Sequence, residues 1–123
     1  MDQTLATRLR TAFNARDIDV LRSLLAEGAT WGEDPNGESF CHDRDSIIRR
    51  VKQLLASGVC ATIVDTTTGP SGIAAQVQVE WPKAEDAPPD RISYAQVYVV
   101  SDGQVTEIHG HDTMESALAA ISH

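Results

Sequence analysis

A chain of 123 residues with 18 acidic and 10 basic side chains carries a formal net charge of -8, and 41% of it is hydrophobic. That length fits one domain, read as 1–123, with one core and room for a single pocket. The acidity excludes a nucleic-acid partner, whose phosphates demand Lys and Arg, and an anionic membrane surface. No stretch approaches the roughly 20 apolar residues of a membrane span.

The opening Met1-Asp2-Gln3-Thr4 is polar with no apolar run behind it, so no secretory signal is expected. Leu5, Leu9, Ala12 and Phe13 recur at helical spacing, with Asp2 or Thr4 as the cap. Asn14-Ala15-Arg16-Asp17 breaks that pattern. Asp17 then caps a second helix carrying Ile18, Leu21, Leu24 and Leu25, predicted to stop at Gly28. Ala29-Thr30-Trp31 is a brief strand, and the segment from Gly32 to His42 a loop. A third helix, capped by Asp43 or Asp45, presents Ile47, Ile48, Val51, Leu54 and Leu55 and ends near Gly58.

The remainder is strand-like. Cys60 to Thr68 is β-branched, and Thr68-Gly69-Pro70-Ser71-Gly72 is a turn. Ile73, Ala75, Val77, Val79 and Trp81 alternate with polar residues. Pro82 to Asp90 connects to a strand over Arg91 to Val100. Asp102-Gly103 makes a tight hairpin into Val105 to His111. A terminal helix over Thr113 to Ile121 is capped by Asp112 or Thr113. Helices segregated from an antiparallel meander define the α+β class. Cys41 and Cys60 are too few for a disulfide framework and too far apart for a paired motif. They read as free thiols, which sets the chain in the reducing cytoplasm.

Three segments carry a resemblance that covers nearly the whole chain. They are the run from Ala12 to Leu21, the stretch from Trp31 to Ile47 with its Pro-Gly loop and Arg44-Asp45-Ser46-Ile47 helix start, and Val97 to Val105. In this order and spacing they are similar to the nuclear transport factor 2-like (SnoaL-like, cystatin-like) superfamily. The resemblance implies an antiparallel sheet curled into a cone, three N-terminal-side helices packed on it, a mostly apolar pocket, and a homodimer through the outer sheet face. Relatives on this fold include isomerases, epoxide hydrolases, cyclases and non-catalytic association modules, so the fold alone does not give a function.

Known catalytic sets match poorly. Alignment with epoxide hydrolases on this fold puts Trp31 and Glu33 where a Tyr and an Asn are needed, and Ile108 and Gly110 where a Trp and an Asp are needed. Ketosteroid isomerases draw an oxyanion-hole Tyr from the first helix, which here offers only Phe13. SnoaL-like cyclases use an acidic residue and a His. Glu33, Asp34, His42, His109, His111 and Asp112 are the candidates of that kind, none on a motif that matches.

Each named residue has a plainer reading beside its functional one. Trp31 reads as a core anchor or as a pocket wall. Glu33 and Asp34 read as a solvated turn, or Glu33 as a general base with a raised pKa. Cys41 reads as a buried thiol and His42 as a polar group at a helix start, with His42 the alternative base. Arg44 reads as an ion-pair partner or as a holder of an anionic substrate group. Tyr94, Gln96 and Tyr98 share one strand face, which the hairpin alignment turns inward, a set suited to hydrogen-bonding a ligand. Glu107, His109 and His111 share another face, where a solvated or dimer-facing row is favoured over a metal site.

Two functions follow. One is a small-molecule pocket, in an enzyme of isomerase, cyclase or hydrolase type using acid–base chemistry without a cofactor or metal. Glu33 or His42 is its base, Tyr94, Gln96 and Tyr98 orient the ligand with Arg44, and Trp31 and Trp81 are its walls. The other is a non-catalytic dimeric association module. Aromatic residues at only 5% favour the second, and an inward Tyr-Gln-Tyr row favours the first.

Overall fold

The computed structural model describes residues 2–32, 40–81 and 90–122. Helix α1 (Asp2–Ala15) carries buried Leu5, Leu9 and Ala12 on one stripe, the spacing that favours a helix laid on a sheet. It starts at Asp2, so Thr4 lies inside it rather than capping it. At its end Arg16 N–H donates to Phe13 O at 3.2 Å and Asp17 N–H to Ala12 O at 2.9 Å. Arg16 adopts φ 56° there, a left-handed conformation that glycine accepts more readily than a residue with a Cβ. Asp17 caps α2 (Ile18–Leu24) by accepting from Val20 N–H at 3.2 Å.

Helix α2 is shorter than its sequence predicts. It stops at Leu24, and Leu25–Trp31 forms β1, so Gly28 lies in a strand and not at a helix end. The cause is tertiary. Leu25 pairs with Val105, Thr30 with Glu107 and Trp31 with Ile108 in a parallel register, and that pairing overrides local helix propensity. Helix α3 (Arg44–Ala56) is capped by Asp43, whose carboxylate accepts from the Ser46 amide at 2.8 Å and hydroxyl at 2.7 Å. The hydroxyl first, then the amide, hold the Asp43 carboxyl below its ordinary pKa.

Strands β2 (Cys60–Thr68), β3 (Gly72–Trp81), β4 (Asp90–Ser101) and β5 (Gln104–His111) follow, then α4 (Met114–Ile121), capped by Thr113. The sheet order is β1-β5-β4-β3-β2, antiparallel except where β1 joins β5. Asp102 at φ 54° and Gly103 at φ 78° form the β4–β5 turn, as Asp-Gly predicts. In the antiparallel pairs two residues fall out of register, and the parallel β1–β5 pairing also shifts between Leu25 and Thr30. Val64 is extra between Ile63 and Asp65, and Thr106 between Val105 and Glu107. Such bulges bend their strands and deepen the curl of the sheet.

Helix α1 grips the first bulge. Asn14 Nδ2 donates to Ile63 O at 2.9 Å, while Asn14 Oδ1 accepts from Ile63 N–H at 2.8 Å. Arg10 Nη2 donates to Val64 O at 3.0 Å. The main core lies on the concave side, where Leu9, Leu24, Ile47, Ile63, Ile73, Val77 and Val105 are buried together. A second, smaller core lies on the convex side. There α4 sets Ala117 and Ile121 on Ala74, Ala95 and Val97. Gly69 makes room for this docking, since a Cβ there would come 2.5 Å from Ile121 O. Among the described residues no helix is long and apolar enough to cross a membrane.

Candidate functional site

The concave face does not fill itself. A cavity of about 270 Å³ lies between the sheet and α1, α2 and α3, close to the lower end of small-molecule sites, about 300 Å³. Leu9 and Phe13 of α1, Ile18 and Leu21 of α2, and Ile47, Val51 and Leu54 of α3 make its helical wall. Ala61, Val79, Ile92 and Ile108 contribute from the sheet. Ile92 and Leu54 are exposed at 49% and 37%, which locates the mouth at that end.

Strand β4 runs from the mouth to the floor. By period 2 it turns Ile92, Tyr94, Gln96 and Tyr98 to the same face, and all four line the cavity. Tyr94 is half-buried, while Gln96 and Tyr98 are 4% and 3% exposed. Across the sheet, Gln96 stands between Ala75 of β3 and Gly110 of β5, and Tyr98 between Ile73 and Ile108. None of these neighbours offers a polar side chain, so the buried amide finds its partners along its own strand. Tyr98 Oη donates to Gln96 Oε1, and Gln96 Nε2 donates to Tyr94 Oη at 3.2 Å. Burial pushes both tyrosines above their ordinary pKa. Tyr94 adds to the rise at Tyr98, and Arg50 opposes it at Tyr94. Both therefore remain neutral hydroxyls at physiological pH.

Trp31 is half-buried and lines the cavity, with the Arg50 guanidinium carbon 4.8 Å from its ring centroid. Its backbone is fixed on two sides. Trp31 N–H donates to Cys41 O at 3.0 Å and Cys41 N–H to Trp31 O at 2.9 Å, while Gly32 N–H reaches Ile108 O at 3.1 Å. Arg50 and Arg16 also line the cavity, so among the described residues its charged groups are cationic although the whole chain is acidic. Arg16 donates to Cys60 Sγ and to Asn14 O, the latter at 2.9 Å.

Sequence reasoning missed both arginines. Arg50 was findable, being three residues after Ile47 on the face that α3 buries. Arg16 sits where the α1 pattern breaks, and no periodicity points to it.

The other candidates fall elsewhere. Glu33 and Asp34 lie outside the described residues, as does the side chain of Trp81, whose backbone closes β3 opposite Asp90. His42 is exposed, with its ring 4.8 Å from that of Phe40, and does not line the cavity. Arg44 does not line it either. Its Nε is buried without a hydrogen-bond partner, and the ion pair expected of it is not formed among the described residues. Asp45 pairs instead with Arg22 at 2.7 Å, an exposed contact of small energetic weight. On the last strand His109 Nε2 meets Glu107 Oε1 at 3.1 Å, and His111 Nδ1 meets Ser116 Oγ of α4 at 2.8 Å. Among the described residues no three His, Cys, Asp or Glu side chains gather as a metal site.

A cone-shaped α+β domain with an apolar cavity crossed by one polar row belongs to the nuclear transport factor 2-like class of folds. Residues 6–108 match the SnoaL-like domain, and the chain belongs to that family. Several solved structures share the fold. Bal32a, from a soil-derived mobile gene cassette, is 15% identical with a TM-score of 0.74, over 99% of this chain and 96% of its own. A nuclear transport factor 2-like protein of unknown function from Cytophaga hutchinsonii is 12% identical with a TM-score of 0.69, over 96% and 95%. An LEH-like epoxide hydrolase of M. tuberculosis is 11% identical with a TM-score of 0.66, over 96% and 82%. At these identities the likeness concerns the fold alone. No curated protein matches the chain.

Proposed function

We propose that this SnoaL-like domain binds a small, mostly apolar organic molecule inside the cone, with Tyr94, Gln96 and Tyr98 orienting it and Trp31 walling the rim. The observation that carries this reading is the hydrogen-bonded row crossing an otherwise apolar cavity. A polar row in a dry core would need closure at both ends, whereas this one ends at a half-buried hydroxyl facing open space. His42 and Arg44 take no part, since neither lines the cavity.

The second reading is an enzyme of the isomerase or cyclase type, and it needs a proton acceptor at the cavity. Among the described residues no carboxylate or imidazole lines it. Glu33, which directly follows the anchored Trp31-Gly32 rim, is the residue we assign that role. A homodimer, as the resemblance implies, would use the convex face beyond the part that α4 covers, or α4 itself. The free thiols Cys41 and Cys60 fit a cytoplasmic setting.

Trp31 fluorescence, recorded in a Trp81→Phe background while aryl ketones, lactones and hydrocarbons are titrated in, tests the reading. Saturable quenching at micromolar to millimolar ligand is expected. Strictly linear quenching across the whole set would overturn it. Glu33→Gln then separates the two functions. It leaves binding unchanged under both, and abolishes turnover of a bound carbonyl compound only under the second.

A further inference from the structure

Arg16 occupies the break between α1 and α2 at φ 56°, where glycine would sit at lower cost. The turn thus keeps a long cationic side chain at a place the backbone alone would give to glycine. Arg16 is exposed and still lines the cavity, so it stands at the rim. Its Nη1 donates to Asn14 O at 2.9 Å and its Nη2 to Cys60 Sγ. Asn14 is itself fixed by both of its bonds to Ile63, so the guanidinium rests on a rigid support. Resting on the pocket reading above, we propose that the cone takes a monocarboxylate on an aryl-alkyl or medium-chain skeleton, with the apolar body inside and the carboxylate paired with Arg16 at the mouth.

Charge is the first support. A carbonyl and a thiol orient the guanidinium, and among the described residues no carboxylate pairs with it. Its sequence neighbour Asp17 is engaged in capping α2 through Val20 N–H. An anion arriving here meets a cation that is already oriented, so little side-chain freedom is lost on pairing.

Geometry selects the head group. The two bonds use one N–H of each terminal nitrogen, which leaves the second N–H of each, and Nε–H, without a partner among the described residues. A planar fork of this kind takes both oxygens of one carboxylate. A dianionic phosphate would carry one charge unmatched by Arg16, and an ammonium would face a like charge.

Size sets the body. The cavity is about 270 Å³, and a dry void of about 150 Å³ already admits benzene, so one ring and a short chain fit. The carboxylate stays at the rim with water on its open side, which avoids the cost of burying a charge in the apolar interior.

Calorimetric titration of phenylbutyrate, phenylbutyramide and phenylbutylamine tests the assignment. At about pH 7 the acid is ionised. At about 0.15 M salt the field of charges beyond about 8 Å is screened, so the comparison reports contact at the head group rather than the net charge of -8 on the whole chain. The acid is expected to bind about three- to fivefold more tightly than the amide, the upper range for an exposed ion pair, and the amine most weakly. In Arg16→Gln and Arg16→Gly the preference for the acid disappears, while in Arg16→Gln the amide stays within about twofold of its wild-type affinity. Glycine suits the positive φ of this turn, so the second variant keeps the fold. Acid bound by the wild type no more tightly than the amide or the amine, or a preference that survives in either variant, overturns the carboxylate assignment and leaves the pocket reading intact. Absence of binding by both acid and amide overturns both. The Arg16 Nε–H resonance, identified by its loss in Arg16→Gln, supplies a readout that packing alone would not move. It shifts when the acid is added and stays in place with the amide. A resonance that moves equally with both, or with neither, overturns the ion pair directly.

Discussion

The two faces of strands β3 and β4 differ although they are built from alternate residues of the same two segments. On the convex face Ala74, Ala95 and Val97 are small, and α4 lies directly on them with Ile121 and Ala117. On the concave face Ile73, Ala75 and Val77 pack into the main core, but Tyr94 and Gln96 look into space that the helices leave open. Small residues invite close approach of a helix and produce a filled interface. Larger polar residues set among apolar neighbours hold the helical wall away and need partners. On the proposed reading the convex face serves stability and the concave face binding.

The largest test of that division removes volume from each side. Ile121→Ala on the convex face should cost about 2–5 kcal/mol in urea unfolding. Val51→Ala on the cavity wall should cost less than about 1.5 kcal/mol, because one side of Val51 already faces empty space. Equal losses at the two sites would contradict the division. Adding volume should reverse the ranking. Ala95→Leu under α4 should destabilise by about 1–3 kcal/mol through overpacking. Ala61→Leu, which points into the cavity, should leave the melting temperature within about 3 °C and weaken ligand binding.

Tyr98→Phe sharpens the concave side. It strands Gln96 Oε1 in a buried position and should cost about 1–3 kcal/mol, whereas Tyr98→Phe with Gln96→Leu removes both partners and should recover most of that loss. The cycle is measured by chemical denaturation of the two single variants and the double. Alkaline pH gives the smallest effect. The folded-state pKa of Tyr98 is raised by burial above its unfolded value of 10.0, so the stability tied to its neutral form is fully present below that value. It is lost as pH rises above about 10, where the unfolded chain releases the proton first. Wild type should therefore lose stability more steeply above pH 10 than Tyr98→Phe, as followed by unfolding midpoints across an alkaline series.

Much of this was legible in the sequence because the periodic signals are strong. The α1 stripe, the Asp43 cap on α3 and the Asp-Gly hairpin all follow from local chemistry. A period of 2 put Tyr94, Gln96 and Tyr98 on one face, and the resemblance of the hairpin to its family implied that this face turns inward. Gly28 misled because a glycine after an apolar helical pattern looks like a helix end, while the deciding contact, Leu25 with Val105, spans eighty positions in the chain. The two bulges leave no local sequence mark, yet the Thr106 bulge puts Val105 and Ile108 on the same side of β5. His42 was named for its chemistry alone, and nothing in its neighbours could say that its ring would meet Phe40 edge-on outside the cavity.

The most direct test of the central claim is a methyl-labelled NMR titration with ethylbenzene. The claim predicts saturable shifts at the methyl groups of Ile47, Val51 and Ile108, with those of Val97 and Ile121 unmoved. Shifts confined to the convex face, or none at either face, would contradict it.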